Sequence, residues 1–311
     1  MAPSASSQLF SERHSLHYQS KVRVCLCAHH LLTLAGFCFA SSASSGKAFL
    51  KASVLSCPAR CDCSAPSKSV SCHRKRLLTI PEGIPIETRV LDLSKNKLAV
   101  EPGSFRSQLA LRSLNFRSNL LQLVPVGVLS GLTNLTRLDL SHNRLVVLLD
   151  HAFQDLRRLT SLEVGDNELV FISQRAFTGL LGLQSLTLER SNLTVVPSDA
   201  LAHLHSLVEL RMRYLSISFL KPFSFKRLSR LRHLEIDFWP WLDTLPPLSL
   251  HGLNLTTLFI TNTNLTAFPG TALHNLPYLT HLNLSYCRIQ QLNKKQIYTH
   301  FNYLFLPVKP I

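Results

Sequence analysis

One column of residues sets the frame of this chain. Asn96, Asn119, Asn143, Asn167, Ser191, Leu215, Trp239, Thr263 and Cys287 recur at a fixed spacing, with the first interval one residue short and the next seven equal. Around Asn143 the sequence Leu135-Thr-Arg-Leu138-Asp-Leu140-Ser-His-Asn143-Arg-Leu145 reads L-x-x-L-x-L-x-x-N-x-L. The frame recurs as Leu111, Leu114, Phe116, Asn119, Leu121 and as Leu159, Leu162, Val164, Asn167, Leu169. A phase held this long means equivalent stacked units. A leucine-rich helical protein would instead show a 3.6-residue period and helix caps.

Within each unit the alternate apolar residues of L-x-x-L-x-L point inward from a short strand, and the x residues point out. The Asn side chain turns back onto neighbouring backbone and ties one coil to the next. A second apolar column follows ten residues after the phase marker, at Leu129, Phe153, Phe177, Leu201, Phe225 and Leu273. Three residues later come Leu132, Leu156, Leu180, Leu204, Leu228 and Leu276. These columns predict the convex half of the core. The expected fold is a leucine-rich-repeat solenoid of the α/β class, with about nine 24-residue repeats. Short parallel strands line its concave face, and irregular or 3₁₀ connections its convex one. Leu215 and Trp239 cannot reproduce the Asn hydrogen bonds, so either packing substitutes for them or the ladder loosens there. Repeat seven slips at Leu253-Asn-Leu255, with Leu250 one residue late.

A solenoid must cover its terminal coils. Cys57, Cys61, Cys63 and Cys72 stand just before the first repeat and read as a disulfide-stapled cap. Four cysteines allow three pairings, and sequence alone does not choose. Zinc is the weaker reading, because paired C-x₂₋₄-C units and a downstream His pair are missing. Disulfides imply an oxidising compartment. Lys21 and Arg23, the apolar stretch to Ala40 and the small residues Ser41 to Ser45 read as an export signal. That stretch, Val24–Ala40, is interrupted by His29 and His30 and is shorter than a membrane helix needs. The expected organisation is a signal-like segment 1–45, a linker 46–56, the cap 57–86, repeats 87–292 and a divergent tail 293–311. Asn134, Asn192, Asn254, Asn264 and Asn283 stand in N-x-[ST] sequons and are the expected glycosylation sites. Asn283, between Leu282 and Leu284, faces the concave side.

Net charge is +15, but residues 87–287 hold only 19 basic against 15 acidic side chains. A nucleic-acid surface concentrates charge on one folded face, so nucleic acid is not an expected partner. Gly127-Val-Leu-Ser-Gly131 is not a nucleophile elbow, and no metal or phosphate-loop motif occurs. No enzyme activity, cofactor, metal or small-molecule substrate is expected. The basic run His73-Arg-Lys-Arg76 is read as a solvated cap edge, with an anionic glycan or acidic partner as the other reading. The expected partner-binding positions on the concave face are Arg89, Asp92, Arg112, Arg117, Arg137, Asp139, Glu163, Glu189, Arg211, Arg213, Glu235, Asp237 and Phe259. A surface of mixed sign suits a protein partner. Trp239, at a ladder position, is expected in the core, and Trp241 is a candidate anchor.

Several segments resemble the LINGO family of leucine-rich-repeat and immunoglobulin-domain proteins. They are Cys57-Pro-Ala-Arg-Cys-Asp-Cys, Cys72-His-Arg-Lys-Arg, Ile80-Pro-Glu-Gly-Ile-Pro, Leu162-Glu-Val-Gly-Asp-Asn, Ser224-Phe-Lys-Arg-Leu and Trp239-Pro-Trp-Leu-Asp-Thr. The resemblance covers roughly residues 57–292. It implies a neural cell-surface co-receptor that binds cell-surface or extracellular proteins, self-associates and restrains neurite outgrowth and myelination. It also implies the pairings Cys57–Cys63 and Cys61–Cys72. The family's C-terminal cap, immunoglobulin domain and membrane helix are not matched here, so a truncated or soluble form is expected. Leu98-Ala-Val-Glu101 reads as a junction where family members carry a further repeat. The alternative is a secreted matrix protein that binds collagen or glycosaminoglycan.

Overall fold

The computed structural model describes residues 57–290 and the backbone of a further strand, Leu304–Phe305. The signal-like segment, the linker and the rest of the tail lie outside the described residues. The solenoid begins with a hairpin, β1 (Asp62–Ser64) antiparallel to β2 (Ser69–Ser71). Disulfides Cys57–Cys63 and Cys61–Cys72 staple it in the pairing implied above. Cys72 is wholly buried, so the second bridge anchors the hairpin directly to the core.

From β2 onward the chain stacks in parallel. β3 (Val90–Asp92), β4 (Ser113–Asn115), β5 (Arg137–Asp139) and β7 (Ser161–Glu163) are three residues each. Then come β9 (Ser185–Ser191), β10 (Glu209–Leu215), β11 (His233–Asp237), β12 (Thr257–Thr261), β13 (His281–Asn283) and β14 (Leu304–Phe305). The sheet runs in chain order from β1 to β14, leaving out only β6 (Val147–Leu148) and β8 (Phe171–Ile172). These two pair with each other after the turn that follows the concave strands. The register reproduces the sequence phase. Val90 faces Ser113 across the short first interval, and Ser113 faces Arg137 across a full one.

The inward positions of the frame are buried, and so are both convex columns, except that Trp241 stands exposed where the frame places a leucine, with Leu242 buried in its stead, and Cys287 and Ile289 of the last coil are half-buried. The convex stretches are mostly turns with i→i+3 backbone bonds, such as Leu132 N–H to the Leu129 carbonyl and Leu156 N–H to Phe153. Two make four-residue helices instead, α1 (Ser198–Leu201) and α2 (Gly270–Leu273). Leu250, Leu253 and Leu255 are all buried, so the slip in repeat seven is absorbed without exposing a leucine.

The Asn ladder is complete where Asn is present. Asn143 accepts the Leu121 N–H and donates to the carbonyls of Phe116, Leu140 and Ser141. Asn96, Asn119 and Asn167 bond in the same way across to the preceding coil. Further on the expectation is that packing substitutes or the ladder loosens; the structure corrects this at Trp239. The Trp239 indole N–H donates to the Met212 carbonyl at 3.0 Å, in the place where Asn143 reaches Phe116. The Cys287 thiol meets the Ile260 carbonyl equivalently. Where Ser191 and Leu215 replace Asn, the backbone takes over. β9 and β10 each extend to seven residues and pair as far as Ser191 and Leu215. The left-handed bend is still present at Arg190 and Tyr214, but with no amide side chain at the marker the chain rejoins the ladder one residue later, where Leu215 pairs with Ser191 and the peptide groups satisfy one another.

Candidate interaction surface

The concave face presents the third, fifth and seventh residues of each frame. In the early coils several of these serve their own turns. Asp92, Asn115 and Asp139 accept the backbone N–H two residues on, from Ser94, Arg117 and Ser141. Asn283 does the same for Ser285. In the middle coils the charges pair with one another. Arg213 meets Glu189 at 2.7 Å and Glu235 at 3.9 Å; Arg211 meets Glu209 at 2.5 Å and Glu235 at 3.5 Å. Glu163 lies beside this network. Burial pushes its carboxyl above the ordinary carboxylate range, a shift helped by Asp139 and Glu189 and opposed by Thr187 and Arg211. Beyond them the His233 ring packs edge-on against Phe259, 5.2 Å between centroids.

The expected concave residues therefore fall into groups. Arg211, Arg213, Glu189 and Glu235 come together as one ion-paired cluster. Asp92 and Asp139 are held in turns. Asp237 accepts from Thr261 and Asn262 of the next coil. Arg137 and Phe259 stand on strands facing out. Arg89 and Arg112 require correction: each falls one residue before its strand, outside the concave rows. Their carbonyls receive the next coil's N–H groups at that strand start.

A second surface was not read from the sequence. In every coil the residue just before the phase marker has positive φ: Lys95, Ser118, His142, Asp166, Arg190, Tyr214, Phe238, Asn262 and Tyr286, with Arg74 equivalent in the cap. None is glycine. The shared bend puts all ten side chains along one edge, where the strands end. Neighbours in the column touch. His142 Nε2 lies 3.2 Å from Asp166, which also holds Arg190 at 3.4 Å. The Arg190 guanidinium sits 4.4 Å above the Tyr214 ring, and Tyr214 stacks on Phe238 at 4.5 Å between centroids. Arg117 reaches His142 and Ser141 from the coil before. Tyr214, Phe238 and Phe219 are each about 40–50% exposed, and Trp241 is 65% exposed. Trp239, by contrast, has no exposed surface, as its ladder position implied. Only side-chain spacing combined with the left-handed bend reveals this column. The sequence signal was a charged or aromatic residue where a turn would favour Gly or Asn.

The sequon asparagines differ in what their amides already do. The Asn134 and Asn254 amides donate to carbonyls of the previous coil, at Leu109 and Ser229. Asn283 lies on β13 opposite Phe259, on the concave side as expected. Asn192 is exposed just after β9, and Asn264 is half-buried. Cys287 is a free thiol whose pKa burial pushes up.

The leucine-rich-repeat family model matches residues 86–145, 133–189, 157–214 and 181–238. Among curated proteins, leucine-rich repeat and immunoglobulin-like domain-containing nogo receptor-interacting protein 1 of Xenopus tropicalis is 49% identical over 252 residues, covering 73% of this chain and 42% of that protein. Protein 2 of the same name series from Mus musculus is 66% identical over 59 residues, 19% of this chain and 10% of its own length. The chain thus spans less than half of these relatives. Among solved structures, TLR13 in its complex with ssRNA13 superposes with a TM-score of 0.63 at 29% identity, covering 66% of this chain and 30% of that one. The Leptospira interrogans protein LIC12759 gives 0.57 at 25% identity, covering 73% and 58%.

Proposed function

The chain belongs to the family of leucine-rich-repeat nogo receptor-interacting proteins, and on that premise we propose that it is a non-enzymatic, extracellular protein-binding module. The observation that carries this reading is the 49% identity to the frog relative, spread over most of the chain. The disulfide cap agrees with export, since such bridges persist outside the reducing cytosol. Asn134, Asn192, Asn254, Asn264 and Asn283 are its glycosylation sites. The neural co-receptor role, self-association and restraint of neurite outgrowth extend the family's implied properties to this chain.

For the contact surface, the strand-end edge joins the concave face. Arg211, Arg213, Glu189 and Glu235 neutralise one another, which lowers their value as free recognition groups. Tyr214, Phe238 and Trp241 have what an interface centre needs: rigid aromatic area, half exposed, beside a stacked arginine. The test is binding of the secreted chain to neural membranes, compared with a Tyr214→Ala/Phe238→Ala/Trp241→Ala variant. Loss of saturable binding in the variant, with unchanged circular dichroism, is the expected result. Absence of any saturable protein partner for the native chain, together with no self-association at micromolar concentration, refutes the module reading.

A further inference from the structure

The cap and first three coils gather cations that the sequence scatters. Arg74 and Lys95 occupy the left-handed position of consecutive turns. Arg74 N–H bonds to the Ser94 carbonyl and Lys95 N–H to Arg117, which fixes one above the other. Arg76 and Lys97 stand two residues later. There Lys97 N–H bonds to the Leu77 carbonyl, and Arg144 N–H makes the same bond to Leu121. Successive coils are about 5 Å apart, so the positions form a grid with one row per coil. Arg74, Arg76, Lys95, Lys97 and Arg144 are exposed, and none pairs with a carboxylate among the described residues. Arg117 joins them, held toward Ser141 and His142.

The nearby acids are few: Glu168, exposed at the position equivalent to Arg144 in the next coil, closes that column, and the others are engaged. Asp62 takes Lys75 at 3.0 Å, and Asp92 faces His73 while accepting the Ser94 N–H. The patch ends at Asp166, which holds His142 and Arg190. No aromatic side chain is exposed within it; its large exposed apolar groups are Leu78 and Leu120. A protein interface has an apolar or aromatic centre, and this edge is instead a strip of separate cations. Arginine forks and lysine ammonium groups at repeated spacing match a chain of sulfate groups.

We propose that this edge, built from Arg74, Arg76, Lys95, Lys97, Arg117 and Arg144, is a binding site for a sulfated glycosaminoglycan. The site rests on the extracellular placement argued above but needs no protein partner. The test uses the secreted full chain and a fluorescent heparin dodecasaccharide. The variant is Arg74→Asn/Arg76→Asn/Lys95→Asn/Lys97→Asn, since Asn tolerates the left-handed backbone at three of these positions. The control, Lys221→Asn/Lys226→Asn/Arg227→Asn/Arg230→Asn, removes the same charge from exposed sites of the sixth coil.

The edge variant is expected to weaken binding about tenfold or more at about 0.15 M salt, and to flatten log affinity against log salt by about 3. The control changes affinity less than about twofold if the edge is a site rather than a share of net charge. Intact disulfides and unchanged circular dichroism show that each variant folds. Equal losses in the two variants overturn the proposal, as does equal affinity for desulfated heparin. Tighter binding of polyglutamate or single-stranded RNA than of heparin reassigns the edge to an acidic protein or to nucleic acid, and overturns it as well. A chain that binds heparin in this pattern yet stays inside cells leaves the site standing and refutes the extracellular reading.

Discussion

Trp239→Phe tests the claim that an indole can replace the ladder asparagine. Trp239 is fully buried, and its N–H reaches the Met212 carbonyl at 3.0 Å. Phenylalanine keeps a ring in the core but leaves that buried carbonyl without its donor, at a cost of about 1–3 kcal/mol. The smaller ring opens roughly 40 Å³, worth about 1 kcal/mol at some 24 cal/mol per Å³. The sum is about 2–4 kcal/mol. It should appear in guanidinium denaturation of the full chain followed by circular dichroism. The loss should also be local, with faster amide exchange in β10 and β11 and little change in β3 to β5. Trp241→Phe, at a side chain 65% exposed, is the matched control and should shift stability by less than about 0.5 kcal/mol. If Trp239→Phe proves no more destabilising than this control, the indole bond is not holding the coils together and the argument fails.

Other substitutions probe other parts of the stack. Gly179→Ala should destabilise by at least about 1–3 kcal/mol in thermal melts, since a Cβ at φ +94° would run into the Gln154 carbonyl of the coil before. Gly83→Ala has the same sign of φ but no atom within 4 Å, and should cost only about 1 kcal/mol. Replacing Cys61 and Cys72 by Ala should cost about 2–5 kcal/mol and loosen amide exchange first in β2 and β3. Glu163 has a folded-state pKa raised by burial, so the folded chain holds that proton more tightly than the unfolded one. Its contribution is therefore favourable at acid pH and is lost as pH rises from about the ordinary carboxylate value. Glu163→Gln should raise the melting temperature at pH 7 and leave it nearly unchanged at pH 4; an equal shift at both pH values refutes the assignment.

The coil count, the buried columns and the cap cysteines were legible because each is a periodic or clustered apolar signal. Leu129, Phe153 and Phe177 needed only the phase to be placed in the core. Three things were not legible. The indole of Trp239 bonds through a direction its side chain takes only once packed. β9 and β10 lengthen because Ser191 and Leu215 rejoin the backbone ladder after the bend, a consequence of what is missing from the pattern. The exposed edge depends on a backbone bend that charged and aromatic residues do not advertise. The concave face was legible as a row but not as a balance: Arg211 and Arg213 lie more than twenty residues from Glu189 and Glu235 and meet them only across strands.

The left-handed residue that precedes each marker has a lasting effect on what such a chain can become. Its bend is enforced by backbone bonds to the next turn, so the side chain it displays is free to vary without disturbing the leucines behind it. The cap and nine coils thus show ten letters in a line, from Arg74 at one end to Tyr286 at the other. Each can be rewritten singly: basic where the line begins, aromatic toward the middle and at its close.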